Sequence, residues 1–306
     1  MTFSIVARSA DGSTWGSAVS SRCLAVGRAV PAARAGLGAI ATQARCNLTY
    51  REQGLQQLEL GKTAEEAVSA LITGDPLASH RQLGIVDAAG NSASHTGEDC
   101  IPWAGGCTGP GYAIQGNILA GPQVIEAMER AWLASDPDEP LGRRIIAALL
   151  AGDRAGGDRR GRQSAAILLV NEEGAYEGGS DEWANLRVDD HHDPVLELSR
   201  LLDLREVFLI NPTGEGMLVL EGELLAEVAL LLQRVGYPSS SIEVADVATA
   251  LREWAFDEFL STRVTEGGLD RAALEVLRER AGTSWRHGGP VRWLAPGASD
   301  QPMMAS

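Results

Sequence analysis

Short apolar runs separated by glycine- and aspartate-rich turns dominate the first two thirds of the chain and predict strands. Residues 2–8 (Thr2-Phe3-Ser4-Ile5-Val6-Ala7-Arg8) and 14–20 flank Ser9-Ala10-Asp11-Gly12, and an Asp-Gly between β-prone runs predicts a hairpin. Residues 37–43 predict a third, tightly packed strand of small side chains. Residues 82–87 and 92–95 predict a second hairpin around Ala88-Ala89-Gly90-Asn91. A glycine-rich loop then leads to a short strand over 112–115, and the continuous apolar run 164–170 predicts a strand buried on both faces.

Helical spacing appears between these runs. A helix is predicted over 47–60, then another beginning at Thr63, whose hydroxyl caps it while Glu66, three residues later, completes a capping box. That helix ends at Gly74-Asp75-Pro76. Further helices are predicted over 121–134, 141–150 and 193–203. Strands, two helices, strands, two helices and a strand imply an α+β fold with helices packed on largely antiparallel sheets. Composition shifts at Asn211-Pro212-Thr213-Gly214, and residues 217–281 read as almost wholly helical, for example over 220–235 and 242–260. The domains expected are therefore 1–215, a small all-α module over 216–281, and a mobile Gly/Pro/Ser-rich tail over 282–306.

Composition narrows the function. With 306 residues, 44% hydrophobic and 22% charged, the chain is an ordinary globular protein, its core built from Ala, Leu and Val because aromatics reach only 5%. A net charge of −15 argues against a nucleic-acid partner, which needs a basic face. Cys23, Cys46, Cys100 and Cys107 lack metal-site spacing. Cys100 and Cys107 could pair in an exported protein, but reduced core cysteines fit better. No signal peptide and no window of about 18 apolar residues is visible, so a cytoplasmic protein with no membrane span is expected.

Thr2, directly behind Met1, carries the most specific chemistry. A small second residue favours removal of the methionine, leaving a hydroxyl and an α-amine on one residue. The amine, with a pKa of about 7.7–8.0, can take the hydroxyl proton, and this pair is an established activated nucleophile. A threonine at position 2 is also simply common.

Five blocks in order resemble domain of unknown function 1028: residues 2–8, Ala41-Thr42-Gln43-Ala44, residues 115–121, Gly157-Asp158-Arg159-Arg160-Gly161 and residues 186–191. The resemblance covers about residues 1–215 and implies a four-layer αββα sandwich of the N-terminal nucleophile (Ntn) hydrolase type. The family carries no established substrate. The module over 216–281 resembles the peptidoglycan-binding domain found behind such domains, on Leu232-Gln233-Arg234-Val235-Gly236-Tyr237 and Ala250-Leu251-Arg252-Glu253-Trp254. The opening also resembles proteasome β-type threonine hydrolases. Its Ala18-Val19-Ser20-Ser21-Arg22 has serine where those enzymes carry an aspartate, which argues against proteolysis of the proteasome kind. Arg28 or Arg34 could supply positive charge near the nucleophile.

A threonine hydrolase also needs oxyanion donors and substrate contacts. Donors could be backbone N–H groups at Thr42 and Gln43 or the Asn117 side chain, although Asn117 also reads as a turn residue. Ser20, Arg22, His95, Arg160 and Ser164 are the candidate substrate contacts, arginine because it can clamp a carboxylate in two-pronged fashion. His95 equally fits a hydrogen-bonded structural role, and residues 158–160 a solvated turn. Asp189-Asp190-His191-His192-Asp193 holds metal-ligand types, but Asp193 before Pro194 fits a helix cap better.

The expectation is a cofactor-free, metal-free amidohydrolase. It would cleave the C–N bond of a small-molecule or peptide amide, with a peptidoglycan fragment as a further ligand and self-association into a homo-oligomer. The alternative is a non-catalytic glycan- or peptide-binding protein on the same scaffold.

Overall fold

The computed structural model describes residues 2–175, 178–209 and 216–282. The chain divides into two compact units, residues 1–202 and 203–306. The first begins with the predicted hairpin, β1 (Thr2–Arg8) and β2 (Thr14–Ser21), followed by β3 (Pro31–Arg34) and β4 (Gly38–Ala44). Helices α1 (Thr49–Glu59) and α2 (Ala64–Thr73) lead to β5 (Arg81–Asp87), β6 (Ser92–Thr96), β7 (Gly105–Gly109) and β8 (Tyr112–Asn117). Then come α3 (Gln123–Ala134), α4 (Leu141–Arg154), β9 (Ser164–Asn171), β10 (Glu182–Val188) and α5 (Pro194–Leu209), whose residues from Asp203 on belong to the second unit.

The strands form two antiparallel sheets, a six-stranded one in the order β10-β9-β2-β1-β8-β7 and a four-stranded one in the order β3-β4-β5-β6. Side chains alternate between the faces of a strand, and here both faces are covered. Ile5, Ala7, Ile114 and Ile167 pack with Val124, Met128, Ile145 and Leu149 of α3 and α4. Their neighbours Val6, Val19, Ala113 and Leu168 point the other way, against Ala39 and Ala41 of β4 and Val86 of β5. On the far side of the smaller sheet, Ile40, Leu83 and Ile85 pack with Tyr50, Leu55 and Leu58 of α1 and Val68 and Leu71 of α2. Each fully buried Val, Leu or Ile contributes about 1.5–3 kcal/mol relative to exposure.

The predicted capping box is formed, with Glu66 N–H donating to the Thr63 hydroxyl and the Glu66 carboxylate accepting from the Thr63 N–H. Pro194 begins α5, as expected from the Asp-Pro pair. Three strands escaped the sequence pattern. β3 is only four residues long, and β10 alternates at an exposed edge. β7 is built on glycines that propensity disfavours. Its Gly106 is required, because a Cβ there would fall 2.5 Å from the Ile114 carbonyl of β8. The four cysteines are free thiols, and burial pushes that of Cys107 up to about 12.

The second unit contains β11 (Met217–Val219), α6 (Gly222–Arg234), α7 (Val244–Asp257), β12 (Gly268–Asp270) and α8 (Arg271–Arg280) around a core that includes Val228, Leu232, Leu251, Trp254 and Leu277. The all-α expectation is corrected, since β11 and β12 pair as an antiparallel ribbon. Runs of three residues are too short to show a period of two. The composition shift at 211–214 lies outside the described residues, as does the tail beyond Gly282. Among the described residues no helix is long and apolar enough to cross a membrane.

Candidate active site

The layer between the two sheets is apolar at one end and polar at the other. From Val6 along β1 the inward-facing positions run Val6, Ser4, Thr2; from Ala113 along β8 they run Ala113, Gln115, Asn117; and from Ala39 along β4 they run Ala39, Ala41, Gln43. Gln82 at the start of β5 joins them. All six polar members are buried, and all are uncharged.

Thr2 stands at the head of β1, opposite Asn117 of β8. Its hydroxyl lies 3.2 Å from the Ser21 hydroxyl at the end of β2. Sequence reasoning passed over Ser21, although the signal was present: once Arg8 is set opposite Trp15 beside the turn, continuing that register brings Thr2 level with Ser21.

The amides form a closed network. Gln43 Nε2 donates to Gln82 Oε1 at 2.8 Å and to the carbonyls of Thr2 and Gln115, both at 3.3 Å. Ser4 donates to Gln43 Oε1 at 2.7 Å and accepts from Gln115 Nε2 at 2.6 Å. Asn117 Nδ2 donates to Gln82 Oε1 at 2.9 Å, while Gln82 Nε2 reaches the Gly116 carbonyl at 2.7 Å. Gln115 Oε1 is buried without a hydrogen-bond partner and lies against Gly84, where a Cβ would come within 2.1 Å of it.

These bonds separate the expected oxyanion donors. An amide nitrogen carries two protons. Those of the Gln43 side chain are spent on its three acceptors and hold the Thr2 carbonyl in place; the donor expected at Gln43 was its backbone N–H, on a residue paired with Gln82 of β5. Asn117 spends one and keeps one. Thr42 faces the opposite side of β4: its N–H donates to the Val30 carbonyl at 3.1 Å and its hydroxyl to the Asn47 carbonyl at 3.4 Å.

The expected substrate contacts are dispersed. Ser20 is buried on the face of β2 away from Thr2, in line with Ala18. His95 shares the outer, helix-covered face of the smaller sheet, with Nε2 2.9 Å from the Ala78 carbonyl. Ser164 holds the chain after β2, donating to the Cys23 carbonyl at 2.5 Å and accepting from Val26 N–H at 3.1 Å. Arg34 pairs with Glu52 and Glu59 of α1, and Arg28 lines a separate cleft with Arg51 and Arg187. Arg22 and Arg160 do come together, around buried Asp158. The Asp158 carboxylate accepts from Arg22 N–H at 2.7 Å and Arg160 N–H at 2.8 Å. Among the described residues no group of three or more His, Cys, Asp or Glu side chains could hold a metal ion, and His191 Nδ1 instead accepts from the Asp193 N–H at 3.0 Å.

Two strands that carry these amides end in left-handed residues other than glycine: Ala44 (φ 66°) follows Gln43, and Ile118 (φ 53°) follows Asn117. Such conformations cost on the order of 1–3 kcal/mol each and concentrate at functional sites. A β-branched residue at positive φ is a genuine outlier. Behind the β4 end, Arg81 donates to the Arg45 carbonyl and to Asp75, which also accepts from Tyr50 at 2.7 Å. The Arg81 hydrogen bond holds the Asp75 carboxyl well below the usual carboxylate range.

Residues 2–198 match the model of a family of unknown function (DUF1028), and the chain belongs to that family. A crystal structure of a DUF1028 protein from Silicibacter pomeroyi is similar at 31% identity and a TM-score of 0.61, covering 67% of this chain and 86% of that one. The Anbu (ancestral beta-subunit) from Yersinia bercovieri is a distant likeness, at 14% identity and a TM-score of 0.32, covering 69% of this chain and 98% of that one. No curated protein matches the chain.

Proposed function

We propose that the first unit is a four-layer αββα sandwich of the Ntn-hydrolase type and acts as an amidohydrolase on a C–N bond, with Thr2 as nucleophile after removal of Met1. The observation that carries this reading is the position of Thr2. It heads a central strand, its hydroxyl 3.2 Å from Ser21 in the polar end of the inter-sheet layer.

In this reading the α-amine takes the Thr2 hydroxyl proton as Oγ1 attacks the substrate carbonyl carbon. The uncharged amide surroundings favour a neutral amine, the form a base requires. The second Asn117 amide proton is the donor available to the developing oxyanion. The amine then returns its proton to the leaving nitrogen as the C–N bond breaks, and water hydrolyses the resulting ester. Removing one oxyanion donor typically costs about 100–1000-fold in rate.

Intact-mass measurement of the purified protein and turnover of an amide panel by wild type, Thr2→Ser and Thr2→Ala test this directly. Loss of Met1, retained activity in Thr2→Ser and none in Thr2→Ala are expected. Equal activity in wild type and Thr2→Ala would remove Thr2 as nucleophile. A second reading, a binding protein on the same scaffold, is favoured by the near-complete mutual satisfaction of the amide network. Retained Met1 would favour it.

For residues 216–281 we propose a structural role in place of attachment to peptidoglycan. Co-sedimentation of the full-length protein with purified peptidoglycan, resistant to salt, would overturn that role.

A further inference from the structure

A cavity of about 840 Å³ opens at the end of the sheet where Thr2 lies. It is lined by Arg22, Arg154, Arg160 and Arg162, by Asp153, Asp158 and Asp190, and by His191 and His192. Its link to Thr2 is short. Arg22 follows Ser21, and Asp158 forms a bridge with Leu119, two residues beyond Asn117, the partner of Thr2.

In a chain of net charge −15, four arginines here face three aspartates, which leaves one net positive charge. Two of the aspartates form a buried and already satisfied floor. Asp153 is held through both oxygens by Arg162, at 2.8 Å from Nε and 2.7 Å from Nη2. Asp158 accepts the two backbone N–H groups of Arg22 and Arg160 and lies 3.4 Å from Arg160 Nη2. Asp190, the third, is exposed and accepts from Gln163 Nε2 at 3.2 Å.

A guanidinium carries five N–H donors in a fixed plane. Arg160 and Arg162 spend one edge on the floor, so the carboxylates orient them while the remaining edges are left for the cavity. The histidine wall adds a donor. His191 Nδ1 accepts the Asp193 N–H, which puts the proton of the neutral ring on Nε2.

We infer that this cavity recognises a carboxylate on the substrate, and that the substrates are acidic amides of the N-acyl-amino-acid kind. The inference rests on the amidohydrolase reading for the word substrate, and on the cavity alone for the carboxylate. A monoanion brings the lining to neutrality, and the planar guanidinium fork matches the two oxygens of a carboxylate. The arginines bind and orient, and Thr2 performs the chemistry.

Titration calorimetry on the full-length protein, with N-acetyl amino acids and their neutral carboxamides as paired probes, tests the carboxylate without requiring turnover. In wild type and Thr2→Ala alike, the acids should bind about tenfold or more tightly than the carboxamides, the size expected of one charge-assisted hydrogen bond. Arg160→Gln, whose side chain is 46% exposed and whose fold circular dichroism would check, should abolish most of that preference. Arg160→Lys should keep part of it. Equal binding of acids and carboxamides, no binding of either, or a preference unchanged in Arg160→Gln would each overturn the inference. Carboxylate preference without hydrolysis of any probe would leave the cavity assignment standing and count against the nucleophile alone.

Discussion

The Thr2 and Ser21 hydroxyls face one another across the β1–β2 hairpin at 3.2 Å, both buried and both at the polar end of the inter-sheet layer. The hairpin places the two residues level with one another: twelve residues of antiparallel register separate them from the turn. The Ser21 hydroxyl is thus within hydrogen-bonding distance of the Thr2 hydroxyl and helps to orient it. If Thr2 is the nucleophile as proposed, Ser21→Ala should lower kcat about two- to tenfold, equivalent to a neutral hydrogen bond of about 0.5–1.5 kcal/mol, and leave KM near wild type. A changed KM with unchanged kcat would make Ser21 a substrate contact.

Gly84 and Gln115 are coupled in the same way, by space instead of by a bond. The Gln115 amide is pinned by Ser4 at 2.6 Å, and its oxygen occupies the volume where a side chain on residue 84 would begin. Gly84→Ala should destabilise the protein by about 1–3 kcal/mol, the usual range for overpacking a filled core. Combining it with Gln115→Ala should return part of that loss in a double-mutant cycle. Strict additivity would show that the two positions do not interact.

Much of this arrangement was legible in the sequence. The first hairpin, the capped α2 and the buried strand β9 each carried a local signal, and the structure forms all three. β7 was hidden because Gly106 is selected for close approach to the Ile114 carbonyl, against strand propensity. At the site, Thr2 and Asn117 lie opposite one another as strand partners. The glutamines Gln82 and Gln115 carried no local signal that marked them as site residues. What tied them to Gln43 was sheet stacking, a long-range relation to which no local period points. Thr42 and Gln43 show the limit most simply: one step along a strand reverses the face, and which face looks toward Thr2 was not fixed by the pattern.

Ala44 offers a test of strain at the site. Its φ of 66° is a left-handed conformation that costs a residue with a Cβ about 1–2 kcal/mol. Ala44→Gly removes that cost but adds unfolded-state freedom worth about 0.4–1 kcal/mol. The balance predicts a modest rise in thermal midpoint, read by calorimetry. A fall would mean that the half-buried methyl group contributes more than the backbone loses.

The Asp75–Arg81 pair predicts a specific acid response. Its side chains are 9% and 10% exposed, and the Arg81 hydrogen bond depresses the Asp75 carboxyl below its unfolded value of about 3.9. A carboxylate depressed on folding stabilises the protein fully above its unfolded pKa, and that contribution is lost as pH falls from there toward the folded value. Asp75→Asn should be less stable than wild type at neutral pH, and the gap should narrow below about pH 4. A gap independent of pH would show that the loss comes from packing or hydrogen bonding and not from charge.

In the second unit the same principle holds a different joint. Arg263 is buried, donates to the Glu206 carbonyl at 2.6 Å and the Val207 carbonyl at 2.5 Å, and pairs with Asp270. Asp270 in turn caps α8, accepting the Ala273 N–H at 2.8 Å. Arg263→Met leaves the carboxylate buried without its partner and two carbonyls without their donor, a change that costs about 3–5 kcal/mol. Replacing the pair together, as Arg263→Met with Asp270→Asn, should recover part of this, because the neutral amide oxygen still caps α8. Calorimetry and far-ultraviolet circular dichroism on the full chain would read both. A double variant no more stable than Arg263→Met would assign the loss to the orphaned carbonyls, and an Arg263→Met chain as stable as wild type would show that the pair only offsets its own desolvation.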